Sequence, residues 1–289
     1  MFRTTVGKYA FIRAEQDRFG VTALCKRYGV SRPGYYAWCK RSPSTHDLVD
    51  EKLARRITAI FESSNGTYGS PRIHEALKQA GVSVGRKRVA RLMREKGLKA
   101  RSAKIYRRTP GTHRFFNEIP NRVLGVTTTS QDQVWVGDVT YLMNPSQRRY
   151  LAVVMDRHSR RVLGWKIGRH RDVKLTMGAF DDAVERRKLT TGIIFHSDRG
   201  SEYSAYSYRS RLASLDMIQS MKRPREITDN AFMESFFHSL KAEAIHGVAF
   251  EDEAHLRSVI QPYIRRYNRS RLHSSLGYCS PIDFERRLA

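Results

Sequence analysis

Three carboxylates stand at positions where an acid without a partner would be costly. Asp138 interrupts one apolar run, Asp198 directly follows another, and Glu234 lies among Phe and Met residues. A carboxylate in apolar surroundings is stable when it is paired or ligates a cation. Oxygen ligands of this kind suit Mg²⁺ or Mn²⁺, and a pair of such ions supports in-line phosphoryl transfer. We therefore expect a two-ion phosphoryl-transfer site at Asp138, Asp198 and Glu234.

Each acid also has a purely structural interpretation. Asp138 could belong to an edge strand or turn, Asp198 could form a plain turn, and Glu234 could be an acid favoured at a helix N-terminus. Asp156 also ends an apolar strand and competes with Asp138 as a ligand. The prediction of a metal site rests on the combination of the three acids.

The elements that must position these acids are strands and helices in the second half of the chain. Apolar and β-branched runs predict five strands, over residues 134–142, 150–156, 162–167, 192–197 and 217–221. Helical spacing predicts helices over residues 174–187, 206–215, 230–244 (capped by Asp229) and 252–267, the last kinked at Pro262 and followed by an irregular basic tail. The fold class is therefore α/β, with a mixed five-stranded sheet and helices on its faces.

Charge indicates the class of partner. The chain has 53 Lys and Arg against 28 Asp and Glu, a net charge of +25. Residues 1–130 hold 27 of these cations and 9 of the acids. Such an excess is typical of proteins that bind phosphate backbones. No apolar run is long enough for a membrane helix, and three scattered cysteines exclude a zinc ribbon or disulfide framework, so we expect a reducing cytoplasm.

The basic first half predicts two helix-turn-helix units. In the first, a helix over residues 21–28 ends at Gly29, and Ser31 caps the next helix. In the second, a helix that we expect Ser70 to cap precedes the basic helix 86–94. The cations of that helix lie away from its apolar stripe and are candidates for DNA contact: Arg86, Lys87, Arg91 and Arg94. A solvated basic helix is the alternative interpretation.

The C-terminal segment carries further cations. Arg269 and Arg271 are expected on the DNA backbone, with a solvated face as the alternative. His196, His238 and His273 match no zinc spacing and are interpreted as polar contacts near DNA.

Spacing and motifs together resemble a known family. Thirty-five residues separate Asp198 from Glu234, as in the DD(35)E signature of retroviral integrases and related transposases, and Lys241 follows Glu234 by seven, on nearly the same helix face. The segments 196–203, 229–237 and 267–273 resemble the downstream-frame transposase of the insertion sequence 3 family, and residues 68–98 are similar to its second helix-turn-helix region. The resemblance covers nearly the whole chain.

The resemblance implies a ribonuclease H-like catalytic core in which Asp138, Asp198 and Glu234 bind Mg²⁺ or Mn²⁺ and Lys241 lies near the DNA end. It implies a bacterial, nucleoid-associated DNA transposase that cleaves a strand at the terminal inverted repeats of its element. The freed 3′-OH then attacks another phosphodiester. It also implies a homo-oligomer on DNA and an upstream-frame product, separate or fused by frameshifting, which supplies another helix-turn-helix and a leucine zipper.

One segment departs from the family pattern. Residues 222–228 stand where the family usually has a Gly-Asn-Cys-like turn, although the length is kept. We expect a loop of different shape there.

The sequence predicts five regions. They are a helix-turn-helix-like region (1–45), a second basic helix-turn-helix domain (46–105), a linker (106–130), the catalytic core (131–245), and a C-terminal helix with a basic tail (246–289). Two alternatives to the transposase stay open: a catalytically inactive DNA-binding regulator of the element, and a ribonuclease H-like nuclease without strand transfer. The acids, with Lys241, disfavour the first, and the basic N-terminal half disfavours the second.

Overall fold

The N-terminal unit is a small three-helix cluster. The computed structural model describes residues 4–41, 44–101, 119–142, 148–223 and 230–288. Helices α1 (Thr5–Phe19), α2 (Val21–Tyr28) and α3 (Arg32–Lys40) bury a common core of Ile12, Leu24, Cys25 and Tyr35. Gly29 ends α2 in the left-handed conformation, and the Ser31 hydroxyl accepts a hydrogen bond from the Gly34 N–H. The predicted turn and cap are confirmed.

The second helical unit contains α4 (Thr45–Ser63), α5 (Ser70–Gln79) and α6 (Arg86–Glu95). Ile57, Ile73 and Val89 lie in its core and are fully buried. Gly69 takes the N-cap position of α5, so the prediction that Ser70 caps this helix is wrong. Pro71 at the helix start needs no backbone N–H partner, which lets the helix begin without a side-chain cap.

The second half of the chain forms the predicted mixed sheet. Its strands are β1 (Val134–Tyr141), β2 (Tyr150–Asp156), β3 (Val162–Gly168), β4 (Ile194–Ser197) and β5 (Ile218–Met221). Their order is β3-β2-β1-β4-β5, with β1 antiparallel to β2 and parallel to β4. The fold class predicted from the sequence is confirmed.

Helices cover both faces of the sheet. On one face α7 (Val173–Glu185), α8 (Ser201–Ser204) and α9 (Tyr206–Ala213) pack over Trp135 and Phe195. On the other, α10 (Ala231–Leu240), a π-helical turn (Lys241–Ile245) and α11 (Glu253–Arg269) pack over Val136 and Val153. The centre of β1 therefore lies between two hydrophobic layers. Pro262 lies inside α11, and Asp229, the expected cap of α10, lies outside the described residues.

The C-terminal segment is ordered. A 3₁₀ turn (Ser274–Leu276) and α12 (Pro281–Leu288) follow α11, so the expectation of an irregular tail is wrong. The buried Glu285 carboxylate on α12 accepts hydrogen bonds from Ser159 Oγ (2.7 Å) and Arg161 Nη1 (2.5 Å) and also pairs with Arg187. The long arginine side chains reach across to α12, a tertiary contact that helical periodicity does not reveal.

The second helical unit contacts this C-terminal segment. Tyr68 Oη donates to the Ser270 carbonyl (3.2 Å) and accepts from the Leu272 N–H (2.9 Å). Arg72 Nε donates to the Leu272 carbonyl at 2.9 Å. These bonds join residues about 200 positions apart in the chain.

Candidate active site

Asp138 lies in the middle of β1, opposite Val153 of β2. Gly137 precedes it, and a Cβ at that position would lie 2.6 Å from Cζ of Phe195. Glycine is therefore required for β1 to pack against the ring, and that packing fixes the neighbouring aspartate. The Asp138 carboxylate is half-buried, and its Oδ1 accepts the Val139 N–H at 2.8 Å.

Asp198 is brought beside Asp138 by strand register. Gly137 of β1 pairs with Ser197 of β4, so the next residue of each parallel strand is one of the two aspartates. Burial, and then the negative charge of Asp198, raise the pKa of Asp138 to about 7. The structure thus joins two of the predicted acids in one electrostatically coupled pair.

Arg171 holds Asp198 in place. Its Nη2 lies 3.1 Å from Asp198 Oδ2, and its Nε donates to Oε1 of the buried Glu202 at 2.6 Å. The Gly200 N–H donates to Asp198 Oδ1 at 3.0 Å. Sequence reasoning missed Arg171. The available signal was its position directly before Asp172, the N-cap of α7. A helix that begins just after a strand starts at the edge of the sheet where that strand ends.

Glu234 lies in the first turn of α10, with an exposed side chain. The N-cap residue Asn230 is buried, and its Nδ2 lies 3.5 Å from the Gly137 carbonyl, which docks the start of α10 beside Asp138. Glu234 is one helical turn after Asn230 and therefore faces the same way. No group of three or more His, Cys, Asp or Glu within the described ranges is close enough to hold a metal ion jointly, so Glu234 stands apart from the aspartate pair.

Lys241 lies at the far end of α10, where the π-helical turn begins. Its Nζ is 4.8 Å from the centre of the Tyr141 ring, at the end of β1. Burial lowers the pKa of Lys241, and the charge of Asp138 opposes that change. The ammonium group is thus close enough to Asp138 for their charges to interact.

Asp156 does not join the pair. It is fully buried and accepts hydrogen bonds from the Ser159 N–H (2.7 Å), in the β2–β3 turn, and from the Asp132 N–H (2.8 Å), two residues before β1, so its carboxylate fastens that turn to the start of β1. His196 is also buried, with Nδ1 2.9 Å from Ser220 Oγ.

The predicted DNA-contacting cations fall into two groups. Arg86, Lys87, Arg94 and Arg269 are exposed. Arg91 is half-buried and pairs with Asp50 and Glu95. Arg271 is only 4% exposed, and its Nη2 lies 2.6 Å from Oε1 of the buried Glu243. Its guanidinium is therefore turned into the protein and away from the surface that DNA could reach.

The aspartate pair is suited to a divalent cation. Two half-buried carboxylates repel each other, and only Arg171 offers a positive side chain to Asp198 among the described residues. A cation between the two would stabilise both charges against the burial and the repulsion that raise the pKa of Asp138. Asp138 and Asp198 are the residues that could hold it.

Comparison with known proteins identifies the family of this chain. An integrase core domain family model matches residues 128–226, a second integrase core domain model matches residues 215–281, and an HTH-like domain model matches residues 48–106. The chain is 35% identical to Transposase InsF for insertion sequence IS3A of Escherichia coli (strain K12) over 286 residues, which cover 97% of this chain and 99% of that protein. It is 36% identical to an uncharacterized 31 kDa protein of insertion element IS600 from Shigella sonnei over 267 residues, 91% of this chain and 98% of that protein.

A solved structure, the HTLV-2 integrase catalytic core domain in complex with magnesium, aligns with 55% of this chain and 99% of that chain, at 13% identity and a TM-score of 0.43. In the described parts of the molecule, no helix has both the length and the apolar character to span a membrane.

The identity over nearly the full length of a curated transposase, with both the helix-turn-helix-like and integrase core regions matched, establishes the family. The chain belongs to the insertion sequence 3 family and is a DNA transposase.

Proposed function

We propose that Asp138, Asp198 and Glu234 are the catalytic carboxylates of this transposase and bind two Mg²⁺ or Mn²⁺ ions. The observation that carries the proposal is the register of β1 with β4, which sets Asp138 beside Asp198. Burial first, and then the negative charge of Asp198, raise the pKa of Asp138, and a bound divalent cation would offset both. Magnesium is preferred because carboxylate oxygens and phosphate oxygens are its usual ligands.

The proposed reaction has two phosphoryl-transfer steps. Water attacks a phosphodiester at an element end and releases a 3′-OH, and this hydroxyl then attacks a second phosphodiester, with the 3′ oxygen of the broken strand leaving. The bound metal supplies an activated oxygen nucleophile and charge stabilisation on the leaving oxygen. Asp138 and Asp198 hold the metal, while Lys241 contacts a phosphate on the same side of α10. The ammonium group offers a compact positive charge for that contact.

Glu234 completes the site from α10. Docking of Asn230 on the Gly137 carbonyl keeps the first turn of α10 beside β1, and Glu234 is four residues further on. Phe232, between them in sequence, lies against the guanidinium groups of Arg157 and Arg160. These contacts hold the start of α10 beside β1. They support the proposal that Glu234 joins the aspartate pair when DNA and metal bind. The altered loop of residues 222–228 lies mostly outside the described residues.

The DNA partners are the terminal inverted repeats of the element and the target. On α6, Arg86, Lys87 and Arg94 are exposed and suited to phosphate contact, whereas Arg91 is partly neutralised by Asp50. Arg269 is suited to the same role, and Arg271 supports the fold instead. We further propose that the chain acts as a homo-oligomer on DNA, with the upstream-frame product separate or fused, in the bacterial cytoplasm at the nucleoid.

A joining assay tests the proposal. A labelled duplex that carries the element end is incubated with Mg²⁺ or Mn²⁺ and wild-type protein, Glu234→Gln, or the control Glu185→Gln, which removes an exposed acid at the end of α7. Metal-dependent joined product from wild type and control, but not from Glu234→Gln, supports the triad. Equal product from both variants would contradict it. If the wild type binds DNA without product, the fused two-frame protein distinguishes a missing partner from an inactive regulator.

A further inference from the structure

A groove lined by arginines lies at the opposite end of the sheet from the catalytic aspartates. It consists of two adjoining depressions of about 700 and 320 Å³ that share Arg161, Arg187 and Arg269. The groove runs between the start of β3, the end of α7, α11 and α12. Six arginines line it: Arg161, Arg186, Arg187, Arg265, Arg269 and Arg286. Four of them pair with carboxylates, Arg161 and Arg187 with Glu285, Arg186 with Asp182 and Arg286 with Asp283.

The walls of this arginine groove are rigid. The buried Glu285 carboxylate joins α12 to Arg161 and Arg187, so their guanidinium groups are fixed at the base. Asn268 of α11 accepts the Val162 N–H at 2.9 Å and donates to the Val162 carbonyl at 2.8 Å, which fastens α11 to the edge of β3. Cations held in place lose little conformational entropy when an anion binds.

Two of the cations are left for a ligand. Arg265 and Arg269 are exposed, are four residues apart on α11, and have no carboxylate at ion-pair distance among the described residues. Side chains at this spacing lie next to each other on one helix face. An anionic ligand that spans both side chains would bind two neighbouring positive charges at once.

The shape and charge favour a polymer of phosphates over a second copy of this chain. A symmetric contact through this face would set arginines against arginines in a protein of net charge +25. A DNA backbone offers successive phosphates, each of which a guanidinium can bind. We propose that the arginine groove binds consecutive phosphates of a DNA backbone at a site separate from the aspartate pair.

This inference rests on the proposed function only in the identity of the DNA segment. Two sources offer the same chemistry: the DNA that flanks the cut end, and a second duplex that receives the joined strand. Either source would make the groove a positioning site for DNA, with no direct part in bond breaking.

The binding test uses a duplex without element ends, the catalytically inert background Asp138→Asn and no added metal, so it does not depend on the triad. Fluorescence anisotropy is measured across a salt series. The double variant Arg265→Ala/Arg269→Ala should reduce the magnitude of the slope of log K against log salt by about 2, and Arg269→Ala alone by about 1. The matched control Arg209→Ala removes one exposed cation on α9, at the other edge of the sheet, and should leave the slope unchanged.

If the Asp138→Asn protein and the same protein with Arg265→Ala/Arg269→Ala have equal slopes, the groove proposal is overturned, even if the triad proposal holds. A loss of slope with no joining by any protein supports the groove and points to failure of the function proposal alone. With an active protein, loss of joining to a second duplex with intact end cleavage assigns the groove to that duplex. Loss of cleavage only on ends with long flanks assigns it to flanking DNA.

Discussion

Two acidic sites of this transposase, Glu243 and the pair Asp138 and Asp198, are both at least half-buried but differ in how far arginines neutralise them. Glu243, in the π-helical turn, is 5% exposed and accepts charged hydrogen bonds from Arg271 (2.6 Å) and Arg266 (2.9 Å). Asp138 has no arginine partner at ion-pair distance among the described residues, and Asp198 lies beside it. The difference separates a carboxylate that is neutralised within the fold from one whose charge is not, which is the condition that our proposal for Asp138 requires.

The largest expected effect is at Glu243, whose charge is shared by two arginines. Glu243→Gln removes the charge shared by two arginines, and we expect a loss of about 3–5 kcal/mol in the free energy of unfolding, because the guanidinium of Arg271 stays buried without a counter-charge. Urea unfolding measures it. The control Glu253→Gln breaks a half-exposed pair with Arg149 and should cost less than about 1 kcal/mol. Equal losses of unfolding free energy in the two variants would show that Glu243 is no more important to the fold than a half-exposed acid.

The second expectation is that a substitution at Asp138 lowers activity without lowering the free energy of unfolding. Asp138→Asn should reduce strand joining more than about 100-fold, since a first ligand matters at least as much as the groups that orient it. Its free energy of unfolding at pH 8 should stay equal or rise, because one of two repelling carboxylates is gone. Asp156→Asn is the control, since that carboxylate accepts N–H bonds in a turn and should lose stability. A destabilised Asp138→Asn protein would show that Asp138 serves the fold.

The third expectation concerns pH. The folded-state pKa of Asp138, about 7, lies above the ordinary value of 3.8, so the folded chain holds a proton that the unfolded chain has released between those values. Without metal, the contribution of Asp138 to stability is present at low pH and is lost as pH rises towards 7. A metal ion competes with that proton, so the Mg²⁺ concentration for half-maximal joining should rise about tenfold per pH unit below 7. A requirement for Mg²⁺ that does not change from pH 6 to pH 8 would contradict this coupling.

The smallest expected effect concerns Arg171, which pairs with Asp198 of the proposed catalytic pair. Arg171→Gln removes the cation between Asp198 and Glu202 and also a charge that lowers the pKa of Asp138. Joining at pH 7 should fall about tenfold, and the midpoint of its pH profile should move upward. Arg211→Gln, which breaks an exposed pair with Asp181 on the same face of the sheet, should leave that midpoint unchanged.

The fold could be predicted from local pattern. The strands around Asp138 and Asp198 are short apolar runs, and the segment of α10 that carries Glu234 has helical spacing, so each local signal agrees with the final structure. Both α12 and the N-cap of α5 were assigned wrongly. In the first case the helix is fastened through Glu285 to distant arginines, and in the second a proline made a side-chain cap unnecessary.

The site was less accessible from sequence. The acids stand out because carboxylates in apolar runs are unusual, whereas Arg171 lies among many arginines and only its position before the N-cap of α7 distinguishes it. Arg271 shows the same ambiguity in reverse, because it was expected on DNA but pairs with Glu243 through a contact 28 residues back along the chain. Composition reports how many cations there are, and only tertiary structure reports which of them are already neutralised.

The bonds from Tyr68 and Arg72 to residues 270 and 272 also have a consequence for the order of folding. Their partners are synthesised about 200 residues later, and Leu272 also packs against the core of the second helical unit, so that unit gains its last contacts only when the C-terminal segment has been made. The last residues to be made therefore fasten one of the first units to the rest of the molecule. A chain cut short before residue 270 would lack these contacts, although it would keep all three helices of that unit.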